Sequence, residues 1–325
     1  MTNTISKDSM RSILSRLSAD RVLIAPASNG KVIEFRETTP ESVLFDDSLS
    51  YKSIKEYFFP QTEHMFTFKD GGIEEAKDIQ SFLIFGARPC DLEALRVMKS
   101  VYTTGKYADP FFKKRFDVNF IIGISCHEKK SGCFCDMAGV NKEFSDFCDI
   151  MLKDENSSYV IEFMSEKAKA ELPELMASAG CDIAAEKTST AADGLALNLN
   201  INDVDYFDII DWEAISQTCL GCGMCCYICP TCHCFDFKDV FEQGETKRYK
   251  CWDSCIYSKF TVHASGHNPR ERLHERYRQR VLHKFKYIPT NFDLLACTGC
   301  GRCLRSCPVG INIKDVVTQI MEVQP

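Results

Sequence analysis

Two stretches of the chain share one cysteine pattern: CLGCGMCCYICP at residues 219–230 and CTGCGRCLRSCP at residues 297–308. Each follows the spacing C-x2-C-x2-C-x3-C, and a proline comes directly after the last cysteine. In two-cluster ferredoxins this pattern holds [4Fe–4S] clusters, and the last cysteine of each motif ligates the cluster of the other motif. Glycines between the first cysteines let the backbone turn tightly and bring amide N–H groups toward the sulfur atoms. The sequence therefore predicts two [4Fe–4S] clusters with crossed ligation.

The crossed arrangement assigns four cysteines to each cluster. The first cluster is predicted on Cys219, Cys222, Cys225 and Cys307. The second is predicted on Cys297, Cys300, Cys303 and Cys229. Zinc is the alternative, but zinc sites use paired C-x2-C motifs that are usually separated by about 15–20 residues. Because each motif here has four cysteines and the two motifs lie far apart, the pattern favours clusters over zinc.

The rest of the C-terminal third is predicted to be mainly helical. Strand-like runs end at about Phe207, where the cysteines begin to cluster. Arg270–Tyr287 is strongly charged and carries apolar residues at helical spacing, so it predicts one long helix between the two motifs. Ile313–Met321 predicts a last helix. We therefore expect residues 206–325 to form a helical [4Fe–4S] dicluster ferredoxin domain.

The first two hundred residues alternate between strand-like and helix-like stretches. Apolar runs predict strands at Val22–Ala25, Lys31–Phe35, Phe82–Phe85, Phe120–Ile124 and Tyr159–Phe163. Helical periodicity is found at Met10–Leu17, Asp91–Tyr102 and Glu166–Met176. This alternation predicts an α/β-type docking domain over residues 1–205, with the polar stretch Glu186–Asp205 as a linker. The predicted fold class of the whole chain is α+β.

Eleven cysteines remain besides the eight predicted ligands. One group is Cys90, Cys126, Cys133 and Cys135. Cys90 and Cys126 each follow an apolar strand, and the ends of such strands are where α/β domains gather functional groups. Four converging thiols suit a third iron–sulfur cluster or a zinc ion, whereas the alternative is buried free cysteine, a common core residue.

A second group lies beside the first motif: Cys232, Cys234, Cys251 and Cys255. These cysteines are either ligands of a third cluster or packing residues around the ferredoxin core, and the sequence favours packing. Cys148, Cys181 and Cys226 carry no pattern and are expected to be structural.

Composition excludes several classes of protein. The 325 residues are 45% hydrophobic and 26% charged, with a net charge of −7 that argues against a nucleic-acid binder. No apolar run is long enough for a membrane span, and the first residues lack the apolar core of a signal peptide. The chain has 19 cysteines. Because no export signal is seen, we expect them to serve metal or redox chemistry in the cytoplasm. No G-x-G-x-x-G motif follows a strand and no P-loop is present, so no nucleotide site is predicted.

These motifs together resemble a known family of iron–sulfur proteins: the iron–sulfur electron-transfer subunit of anaerobic sulfite reductase and the beta subunit of cytoplasmic NiFe hydrogenases, the sulfhydrogenases. The resemblance runs from about Ser81 to Ile313 and rests on FGARPCDLEAL, SCHEKKSGCFC, CLGCGMCCYICPTCHCFD, CWDSC, SGHNPRERLHERYRQRVLHKF and CTGCGRCLRSCPVGI. The resemblance implies that the eight motif cysteines are ligands and that Cys90, Cys126, Cys133 and Cys135 match family positions. Cys232, Cys234 and Cys255 match family positions too, whereas Cys251 is a less regular feature of the family.

The resemblance also implies a role in a complex. The chain would relay electrons between a flavin-containing subunit that oxidises NAD(P)H and a separate catalytic subunit that reduces sulfite, sulfur or protons. We expect a non-catalytic electron-transfer subunit with no catalytic residue of its own. The alternative is a stand-alone iron–sulfur flavoenzyme whose N-terminal domain binds a flavin or a substrate.

Overall fold

The computed structural model describes residues 4–46, 48–76, 79–171 and 206–322. Eleven strands lie in these ranges: β1 (Thr4–Ser6), β2 (Val22–Ser28), β3 (Ile33–Glu37), β4 (Thr62–Lys69), β5 (Gly72–Glu75), β6 (Phe82–Ala87), β7 (Phe120–Ile124), β8 (Ile150–Asp154), β9 (Ser158–Phe163), β10 (Phe235–Glu242) and β11 (Glu245–Trp252). The labelled helices are α1 (Lys7–Leu17), α2 (Pro89–Thr103), α3 (Pro110–Val118), α4 (Tyr206–Ile209), α5 (Trp212–Ser216), α6 (Met224–Tyr227), α7 (Leu273–Leu282), α8 (Ile288–Phe292), α9 (Arg302–Arg305) and α10 (Ile313–Glu322). Short 3₁₀ turns lie at Pro40–Ser42 and Ile54–Tyr57.

A seven-stranded sheet forms the body of the N-terminal part. Its strand order is β1-β9-β8-β7-β6-β2-β3. The four central strands β8, β7, β6 and β2 run parallel to one another, and the outer pairs are antiparallel. The central strands are apolar throughout because both faces of the sheet are covered. Leu23 and Leu83 pack on the face covered by α1, whereas Ile24 and Ile84 pack on the face covered by α2 and α3.

The strands and helices predicted for this part are confirmed, with ends that shift by a few residues. The predicted strand Phe120–Ile124 coincides with β7, and α1 and α2 each extend the predicted helix toward its N-terminus. A helix begins at residue 166 as expected, and residues 172–176 of that prediction lie outside the described residues. The predicted linker Glu186–Asp205 also lies outside them.

A second sheet joins two strands of the N-terminal part to two strands that lie between the cysteine motifs. Its order is β10-β11-β4-β5, and all its neighbours are antiparallel. The expectation that strands end before the cysteine motifs is wrong here, because β10 and β11 lie between the motifs. Nearly every residue of β10 is exposed, and charged and apolar residues mix along it, so neither a buried apolar run nor a helical stripe marks it.

The helix predicted between the motifs begins at Leu273 and runs without a break into a π-helical stretch, His283–Tyr287, and then into α8. Its apolar residues Tyr277, Val281 and Phe285 pack in a core with α10 and with the cysteines of the first motif. α10 lies where the sequence predicts a last helix. The mixture of two sheets and these helices confirms the α+β fold class.

Candidate metal centres

The first motif lines a cavity with an apolar and cysteine-rich wall. The four cysteines predicted to bind the first cluster all line it, including Cys307 from the second motif, and Cys303 joins them. Tyr277, Ile311 and Ile313 supply the apolar part of the wall. The structure therefore brings the predicted first ligand set to one space.

Backbone N–H groups point at two of these sulfurs. The amide of Gly221 donates to Cys219 Sγ at 3.4 Å, and the amide of Ile311 donates to Cys307 Sγ at 3.3 Å. Gly221 has a φ of +66°, a left-handed conformation that residues with a Cβ rarely adopt. Such N–H···S bonds stabilise a negatively charged thiolate and raise the reduction potential of a bound cluster.

Arg280 borders the same cavity and is 2% exposed. Its Nη2 donates to the carbonyl of Cys225 at 3.0 Å, but its Nε has no hydrogen-bond partner although it is buried. A buried donor without an acceptor is costly unless something absent from the protein atoms accepts from it. A thiolate-bound cluster carries net negative charge, so this orphaned donor and the four thiols both fit one.

A buried threonine, Thr231, links Cys229 to the start of the second motif. Cys229 Sγ lies 3.3 Å from Thr231 Oγ1, and that hydroxyl donates to the carbonyl of Ala296 at 2.8 Å. Ala296 directly precedes Cys297, so Cys229 from the first motif is held beside the second motif. Electrostatic interaction links Cys229 with Cys297 and with Cys300. This placement is the one that the predicted exchange of last ligands requires.

Burial and charge set the chemistry of the second set. Burial raises the pKa of Cys297 to about 12 and that of Cys300 to about 11. Lys284, 3% exposed, donates to Thr231 Oγ1 at 2.7 Å and to the carbonyl of Ala296 at 3.1 Å. Burial alone lowers the pKa of the Lys284 ammonium group. The negative charge of the Cys229 thiolate outweighs burial and raises the pKa of Lys284 above its usual value. Lys284 therefore places a fixed positive charge beside these sulfurs.

The N-terminal cysteine group also lines a single cavity, which contains Cys90, Cys126, Cys133 and Cys135. Cys90 opens α2 directly after β6, and Cys126 follows β7, the parallel neighbour of β6. The prediction that both lie at one sheet edge therefore agrees with their position.

Cys300 of the second motif lies in the wall of this cavity, and Cys133 Sγ donates to the Cys300 carbonyl at 3.4 Å. The third thiol group thus adjoins the second motif.

Two glycines make this contact close. The amide of Phe134 donates to the carbonyl of Gly299 at 2.7 Å. A Cβ at Gly299 would overlap the Phe134 carbonyl, and one at Gly301 would overlap the Gly132 carbonyl. Both glycines also have a positive φ. The turn and the close contact with the neighbouring main chain therefore each require glycine at these positions.

The second cysteine group in the structure differs by one member from the group predicted beside the first motif. Cys232, Cys234 and Cys255 pack in one buried cluster, and their neighbour there is Cys226, not Cys251. Cys226, expected to be structural, carries no separate signal because it lies inside the stronger first motif. Cys251 lies in β11, opposite Thr62 of β4. Cys148 is a partly buried thiol that packs against the N-terminal core, and Cys181 lies outside the described residues.

Across the described ranges, no three histidine, cysteine, aspartate or glutamate side chains are arranged around a position for a single metal ion. Each thiolate of a cubane binds a different corner, so its sulfur ligands lie farther apart than those of one zinc ion. The absence of a single-ion arrangement therefore does not count against clusters on these thiols. Among the same residues, no helix is both long and apolar enough to cross a bilayer.

The comparisons with known proteins agree with this arrangement. A family model described as a 4Fe-4S dicluster domain matches residues 218–311. The chain is similar to sulfhydrogenase 2 subunit beta of Pyrococcus furiosus, with 27% identity over 323 residues that cover 95% of each chain. No solved structure matches. The chain thus contains a 4Fe-4S dicluster domain over residues 218–311, and its likeness to the sulfhydrogenase beta subunit extends over almost the full length.

Proposed function

We propose that the chain is the electron-transfer subunit of a flavin-linked, NAD(P)H-dependent oxidoreductase complex. Two [4Fe–4S] clusters would be bound crosswise, the first by Cys219, Cys222, Cys225 and Cys307 and the second by Cys297, Cys300, Cys303 and Cys229. The observation that carries this proposal is that the last cysteine of each motif lies at the other motif: Cys307 lines the cavity of the first motif, and Cys229 is held through Thr231 beside Ala296, which precedes the second.

Each cluster, when bound, accepts and releases one electron at a time. The protein's own part is to hold the thiolates, exclude water and balance charge. The N–H groups of Gly221 and Ile311 donate to ligand sulfurs, and Arg280 and Lys284 place buried positive charge beside them. These groups favour the more negative, reduced state, so they raise the potentials at which the clusters accept electrons.

We extend the proposal to a third iron–sulfur cluster on Cys90, Cys126, Cys133 and Cys135. Support comes from their shared cavity and from Cys300 in its wall. Arg305 adds a positive charge, with Nη1 3.7 Å from Cys133 Sγ. Electrons would pass between this site and the second cluster across the contact between Cys133 and the Cys300 carbonyl.

The partners follow from the relative. The name of the Pyrococcus furiosus protein denotes one subunit of a sulfhydrogenase. We therefore propose two partners here, namely a subunit that binds flavin and NAD(P)H and the catalytic subunit of a reductase or hydrogenase. Residues 1–205 would serve as the docking domain and 206–325 as the dicluster domain. The described cysteines are free thiols, which suits the cytoplasm, where thiols stay reduced.

Iron and sulfide counting on the anaerobically purified chain tests the ligand assignment. Cys222→Ser and Cys300→Ser should each lose about four iron atoms, whereas Cys148→Ser, at a partly buried cysteine that packs against the N-terminal core, should lose none. Retention of all iron in both motif variants would contradict the proposal. Co-purification with flavin-binding and catalytic subunits would identify the complex.

A stand-alone flavoenzyme is the second candidate, and one observation favours it. An open cleft of about 830 Å³ lies against Ser28 at the end of β2, and Lys31, Tyr51, Lys130 and Arg305 line it. Its size is that of an ordinary ligand site, and through Arg305 it adjoins Cys133. The purified chain alone would then bind flavin and oxidise NADH, whereas the electron-transfer proposal expects neither without partners.

A further inference from the structure

A buried lysine of the N-terminal part reaches the segment that carries the crossing ligand Cys229. Lys55 is 5% exposed. Its Nζ donates to the carbonyl of Tyr227 at 3.2 Å and to the carbonyl of Cys232 at 3.0 Å. Tyr227 precedes Cys229 and Cys232 follows it, so one side chain fastens the main chain on both sides of this ligand.

The surroundings of Lys55 hold its ammonium group in one place. Lys55 lies in the short turn Ile54–Tyr57, and its amide donates to Ser53 Oγ at 3.4 Å. Its Nζ lies 3.8 Å from the centre of the Trp252 ring, and Trp252 Nε1 donates to the Phe59 carbonyl at 2.9 Å. A cation over the face of an indole ring is attracted by the ring. The turn, the indole ring and the two carbonyls thus fix the position of the charge.

The charge of Lys55 is not balanced by a carboxylate. In the described part of the chain Lys55 forms no ion pair, and the charged groups that act on it most strongly are three cysteines and Lys284. Burial lowers the pKa of the Lys55 ammonium group, and the negative charges of Cys232 and Cys229 oppose this effect. A buried ammonium group is costly without negative charge nearby. Carbonyls and an indole ring supply partial charges only, whereas a thiolate-bound cluster carries net negative charge.

Lys284 lies at the same segment and comes from a different part of the chain. Its Nζ donates to Thr231 Oγ1 at 2.7 Å, and Thr231 is the residue before Cys232. Lys55 precedes the first motif by more than 160 residues, whereas Lys284 lies between the two motifs. The N-terminal part and the dicluster domain therefore each place one buried lysine beside the crossing ligand.

We propose that Lys55 is a positioning residue of the second cluster: it holds Cys229 at the second motif, and its charge makes that cluster easier to reduce. Reduction adds one electron and no bond changes, so the cluster becomes more negative by one unit. A fixed positive charge nearby stabilises that state. The inference rests on the proposed function, because it requires a cluster on the second ligand set. It adds that the potential of this cluster depends on the N-terminal part of the chain.

Three substitutions at Lys55 in the anaerobically purified full chain test the inference. Lys55→Met removes the charge and keeps an unbranched side chain, Lys55→Gln removes the charge and keeps an N–H donor, and Lys55→Arg keeps the charge. Redox titration followed by electron paramagnetic resonance measures the potentials, and the signal of the second cluster is the one missing in Cys300→Ser. At a fixed potential, the ratio of reduced to oxidised second cluster should fall about tenfold in Lys55→Met and Lys55→Gln, a shift of about 59 mV for one electron. Lys55→Arg should keep most of the original ratio.

Lys52→Met is the matched control, because Lys52 is close in sequence, has a side chain that is 42% exposed and pairs with Glu34 at 3.5 Å. It should leave the potential unchanged. A second-cluster potential in Lys55→Gln equal to that of the control would overturn the inference, and Lys55→Gln decides the matter if Lys55→Met does not fold. An equal fall in Lys55→Arg and Lys55→Met would also overturn it, because charge would then not be the cause. A full chain without any second-cluster signal would instead contradict the proposed function.

Discussion

Asp91 and Arg302 form a buried, two-point ion pair: Arg302 Nη1 lies 2.7 Å from Asp91 Oδ1, and Nη2 lies 3.0 Å from Oδ2. Each residue is 1% exposed. Asp91 directly follows Cys90, and Arg302 lies between Cys300 and Cys303. The pair therefore fixes the N-terminal thiol group to the second motif, and the Arg302 Nε bond to the carbonyl of Ser50 at 3.0 Å adds a second anchor.

Arg302→Met should destabilise the protein strongly, because it leaves the Asp91 carboxylate buried without a partner. Removal of one member of a buried pair costs about 3–5 kcal/mol. Urea unfolding of the anaerobic protein measures the loss. Lys113→Met is the control: Lys113 pairs with Asp117 on the surface, with both side chains more than half exposed, and the variant should change stability by about 1 kcal/mol at most. Equal effects of the two variants would show that the Asp91–Arg302 pair does not stabilise the fold.

Gly299→Ala should separate the backbone contact between the second motif and the N-terminal cysteines. The new Cβ would overlap the Phe134 carbonyl, and φ at Gly299 is +61°. Gly310→Ala is a matched control, because Gly310 has a φ of +70° with nothing within 4 Å of an added Cβ. The control should cost only the backbone strain of about 1 kcal/mol. Gly299→Ala should cost more and release iron, and equal unfolding midpoints would contradict this.

Lys284→Met should lower the reduction potential of the second cluster. It removes a buried positive charge beside Cys229 that favours the reduced, more negative state. A unit charge a few ångströms from the cluster in a protein interior shifts the potential by on the order of 100 mV. Redox titration followed by electron paramagnetic resonance measures the shift. Lys286→Met, in the same helical stretch but only half-buried, should shift it far less, and equal shifts would argue against a local charge effect.

Cluster assembly at the second site should release protons and weaken as the pH falls. The pKa of Cys297 is raised to about 12 and that of Cys300 to about 11 by burial, so both thiols are protonated at pH 8 before iron binds. Iron binds thiolates, so each ligand must lose its proton. Uptake should therefore strengthen as the pH rises toward 11.

Proton release can be measured by titration calorimetry of reconstitution in buffers with different ionisation enthalpies. Cys300→Ser should release fewer protons than the unaltered chain, because it lacks that thiol and loses the cluster. A proton count that is the same at pH 8 for both chains would contradict the prediction.

The sequence predicts the parts of the fold that depend on local pattern. β6 and β7 are apolar at every position because helices cover both faces of their sheet, so they stand out as strands. β10 and β11 do not, because their sheet depends on pairing with β4, which lies about 180 residues earlier in the chain and is detectable only in three dimensions.

In the candidate sites, too, the sequence predicts what depends on local spacing and misses what depends on contacts between distant segments. Spacing alone marks the eight motif cysteines, since their loop geometry is local. It also marks Cys90 and Cys126 as residues that follow strands. Cys226 is missed because its partner Cys255 lies 29 residues away beyond a β-hairpin, and its own surroundings in the sequence are those of the motif. The contribution of Arg302 is missed for the same reason, because Asp91 lies 211 residues earlier.

The direct backbone contact of Gly299 and Gly301 with residues 132–134 has a consequence for electron flow. A carrier domain that delivers electrons by moving between two docking positions needs a hinge. Its turnover slows when the viscosity of the solution is raised. Here main chain rests on main chain with no side chain between them, so the distances from one thiol group to the next are fixed by the fold. Transfer along them should proceed at the same rate in dilute buffer and in concentrated glycerol, and only the docking of partner proteins should slow.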